Sequence, residues 1–172
     1  MIEGIIRYMT ISAEQPTIHM LCGLICSGKT TFARRLEKDF NAVVFSPDEW
    51  MAQLFGPEHT DQYGFKYAPA VHALISRTYE RLLQLNVDVI LDSGFWSKVE
   101  RDQVRRKAVE LGVKHKLYFL DCSKDICMQR LSERNAQRRL DTIVIPENKF
   151  LQSLTLFQPP AADEEFEHIE TG

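Results

Sequence analysis

Residues Gly23 to Thr30 read Gly-Leu-Ile-Cys-Ser-Gly-Lys-Thr and meet the pattern G-x-x-x-x-G-K-[ST] at each fixed position. That spacing binds phosphate. Glycines let successive backbone N–H groups turn inward around an anion, Lys29 adds a point charge, and the Thr30 hydroxyl is a ligand for Mg²⁺. Gly23, Cys26, Ser27, Gly28, Lys29, Thr30 and Thr31 are therefore the candidate contacts to a nucleoside triphosphate. The flanks agree with the motif: Thr17 to Cys22 reads as a buried strand entering the loop, and Thr31 to Asp39, with Phe32, Ala33 and Leu36 on one face, reads as the helix leaving it. Cys26 sits inside the loop, where clustered N–H dipoles favour a thiolate, and alkylation or oxidation there is expected to block the nucleotide.

In an open parallel sheet, ligands sit beyond the carboxyl ends of the strands, so residues just after each strand converge on one mouth. A second apolar strand, Ala42 to Ser46, delivers Pro47-Asp48-Glu49-Trp50; a third, Val87 to Leu91, delivers Asp92-Ser93-Gly94-Phe95-Trp96; a fourth, Lys116 to Asp121, delivers Cys122-Ser123. Asp92 has the form of the acidic strand end that orders Mg²⁺. Asp48 is placed to take the proton of a hydroxyl acceptor, or to cap the helix starting at Glu49, and the two roles are compatible. Trp50, Phe55, Tyr63, Phe65, Tyr67, Phe95 and Trp96 cluster after the second and third strands, either as a wall for an acceptor with a flat or apolar face or as packing under long loops. Arg130, Arg134 and Arg138 recur at i, i+4, i+8 on one helical face. Such a row is either solvated or laid against a polyanion; Arg130 and Arg134 are the first candidates to neutralise triphosphate oxygens, and residues 136–142 to form the mobile part of a lid.

The elements that must position these residues follow from the periodicity. Besides the four strands, a helical period runs from Tyr67 to Leu85, and Ser97-Lys98-Val99-Glu100 is a capping box opening a helix that Gly112 closes. Ser123 caps a cationic helix, Pro146 opens a last one through Phe157, and Phe166 to Ile169 forms a short final strand. Repeated β-α-β units with continuous apolar strands predict an α/β fold whose parallel sheet is covered by helices on both faces. Residues 1–16 read as an N-terminal extension, and 17–172 as one domain with a lid around 130–142.

A formal net charge of −3 supplies no basic field for a long nucleic acid, although a short nucleic-acid end remains compatible with the arginines at 130–139. The four cysteines and five histidines show no metal-site spacing, so the thiols are expected to be reduced and the protein cytosolic. No apolar stretch is long enough to span a bilayer, and the first residues lack a signal-peptide pattern.

Taken together, Gly23–Thr31, Ser46-Pro47-Asp48-Glu49-Trp50, Ile90-Leu91-Asp92-Ser93-Gly94-Phe95-Trp96-Ser97 and Arg130-Leu131-Ser132-Glu133-Arg134-Asn135 make the chain resemble the small P-loop kinases, the AAA-type group that includes polynucleotide 5′-hydroxyl kinases, chloramphenicol phosphotransferase, zeta toxins and gluconate kinases. The resemblance covers most of Thr17 to Phe157. It implies a P-loop NTPase three-layer sandwich with a central parallel five-stranded sheet of order 2-3-1-4-5, ATP with Mg²⁺, a second-strand aspartate as general base, and a helical lid bearing arginines. Carried over, Asp48 is the base and Arg130 with Arg134 the lid arginines. Asn148-Lys149 is followed by Phe150-Leu151 and not by the Asn-Lys-x-Asp pattern of guanine recognition, which favours ATP. The expectation is an ATP-dependent phosphotransferase moving the γ-phosphate to a hydroxyl of a small-molecule acceptor. Its rivals are a nucleotide-gated ATPase or switch, in which the same loop drives a conformational change, and a 5′-hydroxyl kinase of short nucleic-acid ends.

Overall fold

In the computed structural model of the chain, residues 15–56, 60–137 and 143–172 are described, apart from the side chains of 60–63 and 65. Residues 1–14 of the expected extension, residues 138–142 of the expected lid with Arg138 and Arg139, and the Tyr63 and Phe65 side chains lie outside them.

The apolar run at Thr17–Cys22 forms β1, buried along nearly its whole length. A strand buried on both faces belongs at the centre of a parallel sheet. The chain continues through α1 (Lys29–Phe40), β2 (Val43–Phe45), α2 (Pro47–Phe55), α3 (Thr60–Gln84), β3 (Val89–Gly94), α4 (Lys98–Leu111), β4 (Lys114–Asp121), α5 (Lys124–Gln137), α6 (Glu147–Leu156) and β5 (Glu167–Glu170). The five strands pair in the order β2-β3-β1-β4-β5, all parallel. This is the expected P-loop order. Alternate side chains feed opposite layers: Ile18, Met20, Cys22, Val89 and Leu91 pack with Val71, Ile75 and Tyr79 of α3 and Ala108 of α4, whereas Leu21, Ile90, Tyr118 and Leu120 pack with Phe32, Ala33 and Leu36 of α1.

Element ends follow local chemistry. The α4 capping box is complete, with Glu100 N–H donating to the Ser97 side chain while the Glu100 side chain accepts from Ser97 N–H, and Gly112 ends the helix in the left-handed region. The Ser123 hydroxyl accepts from Ile126 N–H at 3.4 Å. At α2 the cap is Ser46, whose hydroxyl accepts from Glu49 N–H at 3.4 Å. Asp48 therefore lies in the first turn and is not the cap that the sequence allowed. Several elements outrun their sequence-based bounds: α1 starts at Lys29 and ends at Phe40, β4 starts at Lys114, β5 ends at Glu170, and β3 and α3 are extended further. The third strand passes beyond Leu91 to Gly94, because a register shift between Met20 and Cys22 lets Cys22 pair with Gly94. The third helix starts at Thr60 and runs through Pro69, an exposed position where water can take up the carbonyl that proline leaves unpaired.

Candidate active site

The loop after β1 enters α1 without a side-chain cap. Gly28 is left-handed (φ 94°) and contributes no side-chain bond. The first helical bond is Phe32 N–H to Gly28 O, at 3.0 Å. The amides of Gly28, Lys29, Thr30 and Thr31 precede it, so the positive end of the helix faces the loop with donors that the helix itself does not use. This is the architecture of an anion site. Gly23 is required by close approach: a Cβ there would lie 2.6 Å from Ser27 Oγ and 2.7 Å from Leu120 O. Ser27 is fully buried and its hydroxyl has no hydrogen-bond partner among the described residues. The Lys29 ammonium donates to the carbonyls of Gly23 (3.1 Å) and Leu24 (2.6 Å). Burial lowers the Lys29 pKa, with the carboxylates of Asp92 and then Asp48 pulling the other way.

The Thr30 hydroxyl donates to Asp92 Oδ2 at 2.7 Å. Asp92 is buried inside β3. The two residues fit Mg²⁺, which takes few protein oxygens and completes its octahedron with water and substrate phosphates. Among the described residues no group of three or more acidic, histidine or cysteine side chains could hold a metal by itself.

Asp48 reaches water through the mouth of a concavity, yet the protein crowds around its carboxyl. That desolvation pushes its pKa up, Asp92 adds repulsion, and Lys29 and Arg134 oppose both. Asp48, Asp92 and Lys29 thus share one electrostatic neighbourhood. Arg130 spans Cys122 Sγ (3.4 Å) and the Thr171 carbonyl (2.6 Å). Arg134 donates from Nη2 to Ile143 O at 3.4 Å, while its buried Nε has no hydrogen-bond partner among the described residues. Both guanidinium groups act on Cys26, but burial outweighs them and raises its thiol pKa.

A cavity of about 330 Å³ opens beside Asp48, between Ile25 of the loop, α2, α3, Trp96 and α6 with residues 143–145 before it. The indole N–H of Trp96 donates to Gly23 O at 3.2 Å, tying the cavity wall to the phosphate loop. Of the aromatic cluster in the sequence, Trp96 lines the cavity, whereas Trp50 and Phe55 pack on the core and Phe95 is buried within it. Core packing accounts for those rings, with Trp50 and Phe55 carried on α2 and not beneath a long loop. Two contributors escaped sequence reasoning. Ile143-Val144-Ile145 is an apolar run next to Pro146 that could have been noticed. Arg101, fully buried, donates to Phe95 O at 2.9 Å and to Glu164 at 2.7 and 2.8 Å, bracing the loop that carries Trp96. Nothing separates it in the sequence from a solvated helical arginine.

Residues 18–160 match the AAA domain family. Among curated proteins none matches the sequence. Similar solved structures include a candidate kinase from Chloroflexus aurantiacus J-10-fl (TM-score 0.71, 16% identity, covering 92% of this chain and 88% of that one). Kti12 from Chaetomium thermophilum, solved with ADP-AlF3, has a TM-score of 0.63 at 17% identity, covering 89% and 87%. A gluconokinase from Sinorhizobium meliloti 1021 has a TM-score of 0.63 at 15% identity, covering 92% and 85%. At these identities the likeness is one of fold.

Proposed function

The chain belongs to the AAA domain family of P-loop proteins, and from that membership we propose that it is an ATP-dependent phosphotransferase that moves a γ-phosphate to a hydroxyl of a small-molecule acceptor. The observation that carries the reading is the placement of Asp48 between a phosphate loop and an acceptor-sized cavity, in the electrostatic field of Lys29 and Asp92. A switch needs the loop but neither an adjoining cavity nor a base at its edge.

In this reading the free amides of Gly28 to Thr31 and the Lys29 ammonium hold the triphosphate, and Lys29 exchanges its bonds to Gly23 and Leu24 for phosphate oxygens. Mg²⁺, when bound, neutralises phosphate charge as it develops, and Thr30 and Asp92 are the residues that would hold it. Asp48 accepts the proton of the acceptor hydroxyl. Its raised pKa makes the ionised carboxylate a better proton acceptor than an ordinary aspartate. Arg134, with a donor to spare, and Arg130 supply positive charge at the loop, and residues 130–142 act as the lid.

The test is transfer of labelled γ-phosphate from Mg·ATP to a panel of hydroxyl compounds that includes short 5′-hydroxyl oligonucleotides, with Asp48→Asn alongside. Transfer should fall roughly 10²- to 10⁴-fold in the variant while nucleotide affinity stays within a few-fold. Parallel loss of binding and turnover would remove Asp48 from the role of base. Phosphate release that no acceptor changes would favour the switch.

A further inference from the structure

The cavity beside Asp48 speaks to the acceptor itself, and the inference drawn from it rests on the phosphotransferase reading. Its walls are hydrocarbon: Met51 from α2, Ala68 from α3, the Trp96 indole, Ile143, Ile145 and Leu156. Among the described residues the polar side chains on it are few. Apart from Asp48 they come from α6, as Lys149, Gln152 and Ser153, and the Ser153 hydroxyl already donates to Phe150 O at 2.7 Å in a residue only 1% exposed. A polyol or sugar acid entering this space would give up several hydrogen bonds to water for contacts with methyl groups and an indole. Each hydroxyl left unsatisfied weakens binding about 5- to 150-fold. An apolar body gains from the same walls.

The indole is also held in place. Its N–H is committed to Gly23 O, and Gly94 leaves it room, since a Cβ at that position, where φ is 81°, would lie 2.9 Å from Trp96 Nε1. At about 330 Å³ the cavity has the capacity of a small-ligand site. We propose that the acceptor is a compact alcohol with an apolar, ring-sized body, its hydroxyl directed to Asp48 and its body set against Trp96 and the aliphatic wall. The proton of that hydroxyl passes to the Asp48 carboxylate, its oxygen bonds to the γ-phosphorus, and the bond from that phosphorus to the bridging oxygen breaks to leave ADP.

The full chain with Mg·ATP is tested against benzyl alcohol, 2-phenylethanol and cyclohexylmethanol, and in parallel against ribitol, sorbitol and gluconate. Two readouts are taken: phosphate transfer, and the emission of Trp96 in a Trp50→Phe background, which leaves it the sole tryptophan of the two in the chain. The apolar alcohols should take phosphate at half-saturations at least tenfold below those of the polyols and should shift Trp96 emission saturably. Ala68→Phe, on a half-buried position of α3, should remove both responses, and Leu156→Gln, at a residue 54% exposed, should weaken them more than fivefold. Nucleotide affinity retained within a few-fold shows that each variant is folded. Phosphate transfer to the polyols as good as or better than to the apolar alcohols overturns the assignment while upholding the kinase. Apolar alcohols that leave Trp96 emission unmoved overturn it as well. A saturable emission change with phosphate released to water alone, indifferent to Asp48→Asn, upholds the cavity's chemistry and overturns the transfer.

Discussion

Asp48 makes the reaction proposed for this site sensitive to acid in a stated direction. Crowding by protein and repulsion from Asp92 hold its carboxyl above the ordinary aspartate value of 3.8. A base must be ionised to work, so kcat/KM should fall as pH drops through this raised pKa, with its acid limb at higher pH than an unperturbed aspartate would give. A pH profile on the best acceptor checks this, and the residual activity of Asp48→Asn should lack that limb. Much of the site could be read at the level of residues, because the loop spacing and the strand-end rule depend only on order along the chain. Lys29, Thr30, Asp48 and Asp92 all meet as that rule requires. The state of Cys26 could not be read so, since desolvation depends on what packs over the loop, including α5 with its arginines.

Helix ends carry stability that can be tested one cap at a time. Ser97 closes the reciprocal capping box of α4, so Ser97→Ala should cost about 1 kcal/mol, seen as a fall in Tm of roughly 2–4 °C for a chain of this size. An unchanged Tm would mean that water replaces the cap without loss. Caps of this kind are legible because partners three residues apart announce them, as Ser97 and Glu100 do. The end of β3 was less legible: its extension to Gly94 depends on β1, whose own irregularity at Met20 to Cys22 sets the pairing. The early start of α3 was less legible, since the apolar period along the chain begins only at Tyr67.

At the scale of the whole molecule, the buried Arg101–Glu164 pair joins α4 to the segment before β5. Arg101, Arg105 and the Ala161 N–H all donate to Glu164, and above all the Arg101 bond holds its carboxyl down to about 2 against an ordinary 4.5. Stability from this depression is fully present above about pH 4.5 and is lost as pH falls towards about 2, where the folded protein must finally take up the proton. Glu164→Gln should therefore lower the urea midpoint at pH 7 and flatten its decline between those two values; an acid slope identical to that of the unaltered protein would dismiss the pair as its source. The two residues stand 63 positions apart, which is why no local pattern disclosed them. The same separation governs the sheet. Every strand is parallel to its neighbours, and His19 of β1 meets Tyr118 of β4 across 99 positions of chain. At roughly 5–20 residues per second, a ribosome needs about 5–20 s to make that interval. The phosphate loop is thus made well before β4, and through that interval the apolar strand that leads into it lacks the neighbour it pairs with in the sheet.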